Sequence, residues 1–180
     1  FLAGGPGSGK SYVVRRTTGG LGLKIVNSDN AFEKLLRDAG LSLKMPPEEE
    51  EPRDVVRARA TRITKKQQAN YIEGRLGLII DGTGKDYDKI AKQATELKQL
   101  GYDVNMIFVN TSLDTALERN ANIPRSGPEP LVVKSWKSVQ SNIGKFSQYF
   151  RQNFVVVDNN DADEDVFNKV FKQVMSLAKG

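Results

Sequence analysis

Short apolar runs alternate with longer stretches in which apolar residues recur every three or four positions, and this alternation is repeated five times along the chain. Phe1-Leu2-Ala3 reads as the end of a first strand, residues 23–28 as a second, residues 76–80 as a third, residues 102–109 as a fourth and residues 154–158 as a fifth. The third run, Leu76-Gly77-Leu78-Ile79-Ile80, is apolar without interruption, as expected of a central parallel strand covered on both faces. Helical spacing is expected over residues 9–18, 31–36, 54–73, 87–100, 112–119 and 130–148, and again in a final helix where Phe167, Val170, Phe171, Val174 and Ala178 form one stripe. Gly19-Gly20 and Gly40 stop the first two of these helices. Between them and the next helix, Pro46-Pro47, four glutamates and Pro52 predict an exposed, mobile connection over residues 40–53. Strands regularly separated by helices predict an α/β fold: one parallel sheet with helices on both faces, in a single domain over residues 1–180. Only three residues precede the first loop, so the first strand is expected to be cut short at its N-terminal side.

That first loop carries the strongest chemical signal. In FLAGGPGSGKS, Gly4, Gly9, Lys10 and Ser11 fill every fixed position of the phosphate-binding pattern G-x-x-x-x-G-K-[ST], between a strand end and a helix start. Glycines allow backbone N–H groups to approach an anion closely, and the following helix adds its positive N-terminal end. Nucleotide contacts are therefore expected from Gly5, Pro6, Gly7, Ser8, Gly9, Lys10, Ser11 and Tyr12, with Lys10 on the β- and γ-phosphates and the Ser11 hydroxyl on Mg²⁺.

Other candidates fall where strands stop, on the side of a parallel sheet that holds ligands. Asp29 follows the second strand, and its carboxylate either accepts the proton of an attacking hydroxyl or caps the helix. Asp81 and Thr83 end the third strand, placed to meet a metal-bound water or a substrate hydroxyl. Arg119 and Arg125 stand in a segment with Pro124, Gly127 and Pro128, which reads as a lid over about residues 119–129 that brings positive charge to a transferring phosphoryl group. Asn159, after the fifth strand, is expected to line the purine site or to serve as a turn and cap. Arg53, Arg57, Arg59, Arg62, Lys65 and Lys66 make one helix strongly basic, either as a wall for phosphates, including a nucleic-acid backbone, or as a solvated face. Trp136 reads as core.

Composition narrows the chemistry further. The chain of 180 residues has no cysteine and no histidine, which excludes disulfides, thiolate metal sites and histidine-dependent triads and leaves a carboxylate, lysine or tyrosine as any general base. A net charge of +5 suits phosphorylated substrates or nucleic acid without requiring either. With no leader, lipidation motif or long apolar run, the chain reads as a cytoplasmic protein with no membrane partner.

GGPGSGKS, NSD at residues 27–29, IIDGT at residues 79–83 and LERNANIPR at residues 117–125, in this order, resemble the small P-loop kinases that include zeta toxins and the 5′-hydroxyl domain of phage polynucleotide kinase. The resemblance spans nearly the whole chain. It implies a five-stranded order 2-3-1-4-5, Asp29 as the base that activates the acceptor hydroxyl, Asp81 at the acceptor site, and Arg119 or Arg125 on the transferring phosphoryl. Where many members carry an arginine soon after the aspartate, this chain has Asn30, Ala31, Phe32, Glu33 and then Lys34. The expected activity is transfer of the γ-phosphoryl of ATP, with Mg²⁺, to a hydroxyl of a nucleotide sugar or of a polynucleotide or nucleotide. The expected partners are ATP, that acceptor, whether small molecule or nucleic-acid end, and an inhibitory protein partner. A non-transferring ATP-binding or ATPase module of a larger protein stays open as another class, although water-activating ATPases more often place a glutamate beside the strand-end aspartate, where this chain has Gly82.

Overall fold

The computed structural model describes residues 1–5, 8, 10, 23–44, 46–122, 128–159 and 172. The remainder of the first expected helix, the final helix from residue 160 onward apart from residue 172, and residues 123–127 of the expected lid lie outside the described residues. In chain order the described elements are β1 (Leu2–Ala3), β2 (Lys24–Val26), α1 (Ser28–Asp38), α2 (Glu50–Glu73), β3 (Leu78–Ile80), α3 (Tyr87–Gln99), β4 (Met106–Asn110), α4 (Leu113–Ala121), α5 (Glu129–Phe150) and β5 (Phe154–Asp158). All strand pairs are parallel, as the intervening helices require.

The strands form a three-stranded sheet in the order β1-β4-β5 and a separate pair, β2-β3. The two are joined by one isolated parallel bridge between Leu2 and Asp81, the residue after β3. Gly82 N donates to Leu2 O at 3.0 Å and Gly4 N donates to Thr83 O at 3.1 Å along the same seam. The single five-stranded sheet expected from the alternation is thus found as two sheets and a bridge, because the two residues of β1 pair along their length with β4 and meet the third strand only at its end.

Three apolar clusters hold these elements. Leu2, Ile79, Val109 and Val157 lie between the strands. Met106, Phe108, Val139, Phe146 and Phe150 bind β4 to α5, with Ala94 and Leu97 of α3 against them. Phe32, Leu36 and Ala60 form a separate core between α1 and α2. Trp136 is only half-buried; its indole N–H donates to Thr111 O at 3.0 Å, so it ties α5 to the end of β4. Asp86 and Ser112 cap α3 and α4 by accepting from Lys89 N and Thr115 N. No helix among the described residues is long and apolar enough to cross a membrane.

One boundary differs from expectation. Residues 47–49 form a 3-10 turn, and α2 begins at Glu50 rather than Asp54, so the end of the expected connection is helical. Acidic residues favour a helix N-terminus, and Pro52 sits in the first turn, where a backbone N–H has no helical partner to lose. The Glu49 carboxylate accepts from Ser42 N at 2.8 Å and Arg53 donates to Pro46 O at 3.0 Å, which closes the turn onto the helix.

The loop after β3 depends on Gly84, whose φ of +86° suits glycine, and a Cβ there would lie 2.9 Å from Ala3 Cβ. The buried Asn142 amide of α5 donates to both Gly84 O and Lys85 O, fixing this backbone against the helix. Gly84→Ala is expected to lower stability by about 1–3 kcal/mol, from the backbone strain alone, in urea unfolding followed by circular dichroism.

Candidate active site

Functional side chains gather at the C-terminal ends of the strands. The register places Val26 opposite Ile80, so the residues that follow, Asn27 and Asp81, emerge side by side. Asn27 Nδ2 donates to Asp81 Oδ2 at 2.7 Å, and Lys10 Nζ donates to Asp81 Oδ1 at 2.7 Å. The Asp81 and Lys10 side chains are 6% and 14% exposed, so the carboxylate is a shielded ion with a cation on one oxygen and an amide on the other. Asp81 therefore joins the lysine of the phosphate-loop motif. An ammonium has three donors, and the one spent on Asp81 leaves two for phosphate oxygens. Asn27 was legible only as the first letter of NSD; its placement beside Asp81 comes from the strand register.

A second cluster forms around Ser8 of the glycine-rich loop. The buried Ser8 carbonyl accepts from Arg119 Nη1 at 3.1 Å and from Asn159 Nδ2 at 2.8 Å. Arg119 Nη2 also donates to Asn159 O at 2.6 Å. Arg119 belongs to the last turn of α4 and Asn159 follows β5, where its own N–H donates to Asn110 O at 2.8 Å. The sequence placed Arg119 in a lid; the structure brings its guanidinium to two backbone carbonyls. Among the described residues, the side-chain oxygens of Ser8 and Asn159 are buried without a hydrogen-bond partner. Gly4 leaves the loop no room for a side chain, since a Cβ would lie 2.6 Å from Ser8 Oγ and 2.7 Å from Val109 O.

The remaining candidates divide. Thr83 reaches the same mouth as Asp81, and its carbonyl accepts from Gly4 N. Gly5 is half-buried beside Trp136. Asp29 lies in the first turn of α1, with its side chain outside the description, and Pro6, Gly7, Gly9, Ser11, Tyr12 and Arg125 also fall outside the described residues.

In front of Asp81 opens a cavity of about 820 Å³. Asn27, Asp81 and Thr83 form its floor, and Arg57, Thr61, Thr64, Lys65 and Gln68 of α2 form one wall. These α2 positions follow at intervals of four, three, one and three residues, which is one face of a helix. Lys85, Asp86, Lys89 and Gln93 stand at the start of α3, and Asn120, Leu131, Val132 and Ser135 come from α4 and α5. The Arg57 guanidinium stacks 3.7 Å from the centroid of the buried Phe32 ring, one helical turn beyond Asp29 on α1. Arg53, Arg59, Arg62 and Lys66 do not line the cavity, so the basic helix turns one arginine and one lysine to it. The uncharged Thr61, Thr64 and Gln68 were hidden in sequence among the more conspicuous charges.

The zeta toxin family profile matches residues 1–170. Among solved structures, a presumed kinase from Chloroflexus aurantiacus J-10-fl is similar with a TM-score of 0.65 and 16% identity, over 99% of this chain and 93% of that one. A gluconokinase from Sinorhizobium meliloti 1021 is similar with a TM-score of 0.56 and 14% identity, over 99% of this chain and 91% of that one. At these identities the likeness is one of fold. No curated protein gives a significant sequence match. The family match runs from the glycine-rich loop through both strand-end aspartates and Arg119 to well past β5, far more than a shared nucleotide loop would explain, and the chain belongs to the zeta toxin family.

Proposed function

We propose that this protein transfers the γ-phosphoryl of ATP to a hydroxyl of a nucleotide sugar held in the cavity before Asp81. The observation that carries this reading is the Lys10–Asp81–Asn27 contact, which ties the lysine of a phosphate-loop motif to two residues that line a ligand-sized cavity. Family membership and the fold of the two neighbours, one of them named as a gluconokinase, support a P-loop phosphotransferase. We read the two sheets and their bridge as one frame in the order 2-3-1-4-5, and residues 119–129 as the region that closes it.

The loop fits a phosphate group. Gly4 is packed so closely that no side chain could occupy it, and beside it the Ser8 hydroxyl, which has no hydrogen-bond partner among the described residues, keeps a donor suited to an anion. Lys10 neutralises the β- and γ-phosphates with the donors that Asp81 leaves available. Ser11 would hold Mg²⁺, which supplies positive charge to the phosphate oxygens as bonding shifts between them. Asp29 accepts the proton of the attacking acceptor hydroxyl, and Arg125 brings charge to the transferring group. Asp81 and Thr83 contact the acceptor, and Asn159 borders the purine.

Arg57 then takes the part that an arginine after the aspartate takes in many family members. Stacked on Phe32, it presents a fixed cation in the cavity wall, near the turn that carries Asp29. Together with Lys65, Lys85 and Lys89 it makes the wall suited to an acceptor bearing phosphates. A polynucleotide acceptor is the second reading; against it, Arg59, Arg62 and Lys66 do not continue the cationic track into the cavity.

The test is label transfer from γ-labelled ATP with Mg²⁺ to a panel of UDP-N-acetylglucosamine, nucleosides, nucleotides and 5′-hydroxyl DNA and RNA. Label is expected in the nucleotide sugar. Label at nucleic-acid ends would favour the second reading, and label only in free phosphate would favour an ATP-hydrolysing module. Lys10→Ala is expected to lower transfer by about 100-fold or more, and near-wild-type activity would sink the phosphate assignment. Asp29→Asn is expected to cost about 100-fold or more in transfer while calorimetry still detects ATP binding; an unchanged rate would refute its role as base.

A further inference from the structure

We infer that Arg119 is a positioning residue for nucleotide binding: with Asn159 it clamps the Ser8 carbonyl and thereby sets the shape of the phosphate loop. The inference rests on the phosphate-loop reading above and reassigns one residue within it.

In a trans peptide unit the C=O and N–H point in opposite directions. The Ser8 carbonyl is gripped by two donors on one side, Arg119 Nη1 at 3.1 Å and Asn159 Nδ2 at 2.8 Å. Such a grip holds the Ser8 carbonyl, and the loop backbone at that point, in one direction. A loop that binds phosphate through its amides needs that direction set before the ligand arrives, since otherwise ordering it would subtract from affinity.

The clamp reaches three strand ends at once. Ser8 belongs to the loop after β1, Arg119 to the helix after β4, and Asn159 follows β5 and bonds back to Asn110 at the end of β4. Arg119 Nη2 closes the triangle on Asn159 O at 2.6 Å. Ser8 and Asn159 are each 2% exposed, so their carbonyls depend on protein donors, and withdrawing the guanidinium would leave them short of partners. Arg119 thereby helps to hold the loop at Ser8.

The test is a double-mutant cycle read by calorimetry with a non-hydrolysable ATP analogue and Mg²⁺. Arg119→Ala is expected to weaken binding by about tenfold or more, as for loss of charge-assisted hydrogen bonds. Asn159→Ala is also expected to weaken binding, and the double variant to fall within about twofold of Arg119→Ala alone, because the two donors share one acceptor. Arg119→Lys should be intermediate, since one ammonium does not reproduce a two-pronged donor. In the transfer assay, Arg119→Ala should raise KM for ATP about tenfold and lower kcat by less than about threefold. Unchanged analogue affinity, additive effects of the two substitutions, or a fall in kcat with KM for ATP unchanged would each overturn the clamp; the last would return Arg119 to the transition state. Should Arg119→Ala not fold, Arg119→Lys and Asn159→Ala carry the same comparison. A wild-type protein that does not bind the analogue would instead refute the phosphate-loop reading on which the clamp is built.

Discussion

A single carboxylate joins the two sheets to each other and to the candidate chemistry. Through its backbone, Asp81 makes the one bridge among the described residues between the β2-β3 pair and β1. Through its side chain, it takes Lys10 from the glycine-rich loop and Asn27 from the end of β2. A carboxylate this shielded is tolerable only when paired and hydrogen-bonded, so the contacts that make Asp81 affordable in the fold also fix the position of Lys10. Removing one partner would leave an uncompensated charge at the seam between sheets, and fold and site are therefore hard to alter independently there.

How much of this was legible depends on the range of the interaction. Strands and helices follow from local periodicity, and all five expected strands are found, the first four shorter than the runs that announced them and the fifth with the same bounds. Local signals also located the strand-end positions of Asp81 and Asn159. The Lys10–Asp81 pair spans 71 residues of sequence, and nothing in either neighbourhood announces it. The same holds for Arg119, where proximity to prolines and a second arginine suggested a lid, while its partners come from 111 and 40 residues away. The start of α2 was missed for another reason. Two prolines and four glutamates read as a break, yet at a helix N-terminus acidic side chains and an early proline are favourable.

The basic helix shows why charge counts alone decide little. Its cations point in several directions, and what separates them is the packing of α1 against it. Phe32, buried in that contact, offers its ring face to Arg57 and gives one guanidinium a defined place. The neighbouring arginines have no such support at the cavity. The wall is completed by Thr61, Thr64 and Gln68, residues whose importance depends only on the helix turning them inward.

The separate core of Phe32, Leu36 and Ala60 has a consequence for how such a protein diversifies. Residues 24–80 leave and re-enter the frame through strands that pair with each other, and their helices pack on a cluster of their own. Substitutions inside this excursion are screened mainly against its own small core, whereas those around Phe108 and Phe146 are screened against the packing that supports β4 and α5. The excursion is thus free to change its packing largely by itself, while the supports of the glycine-rich loop stay under separate constraint.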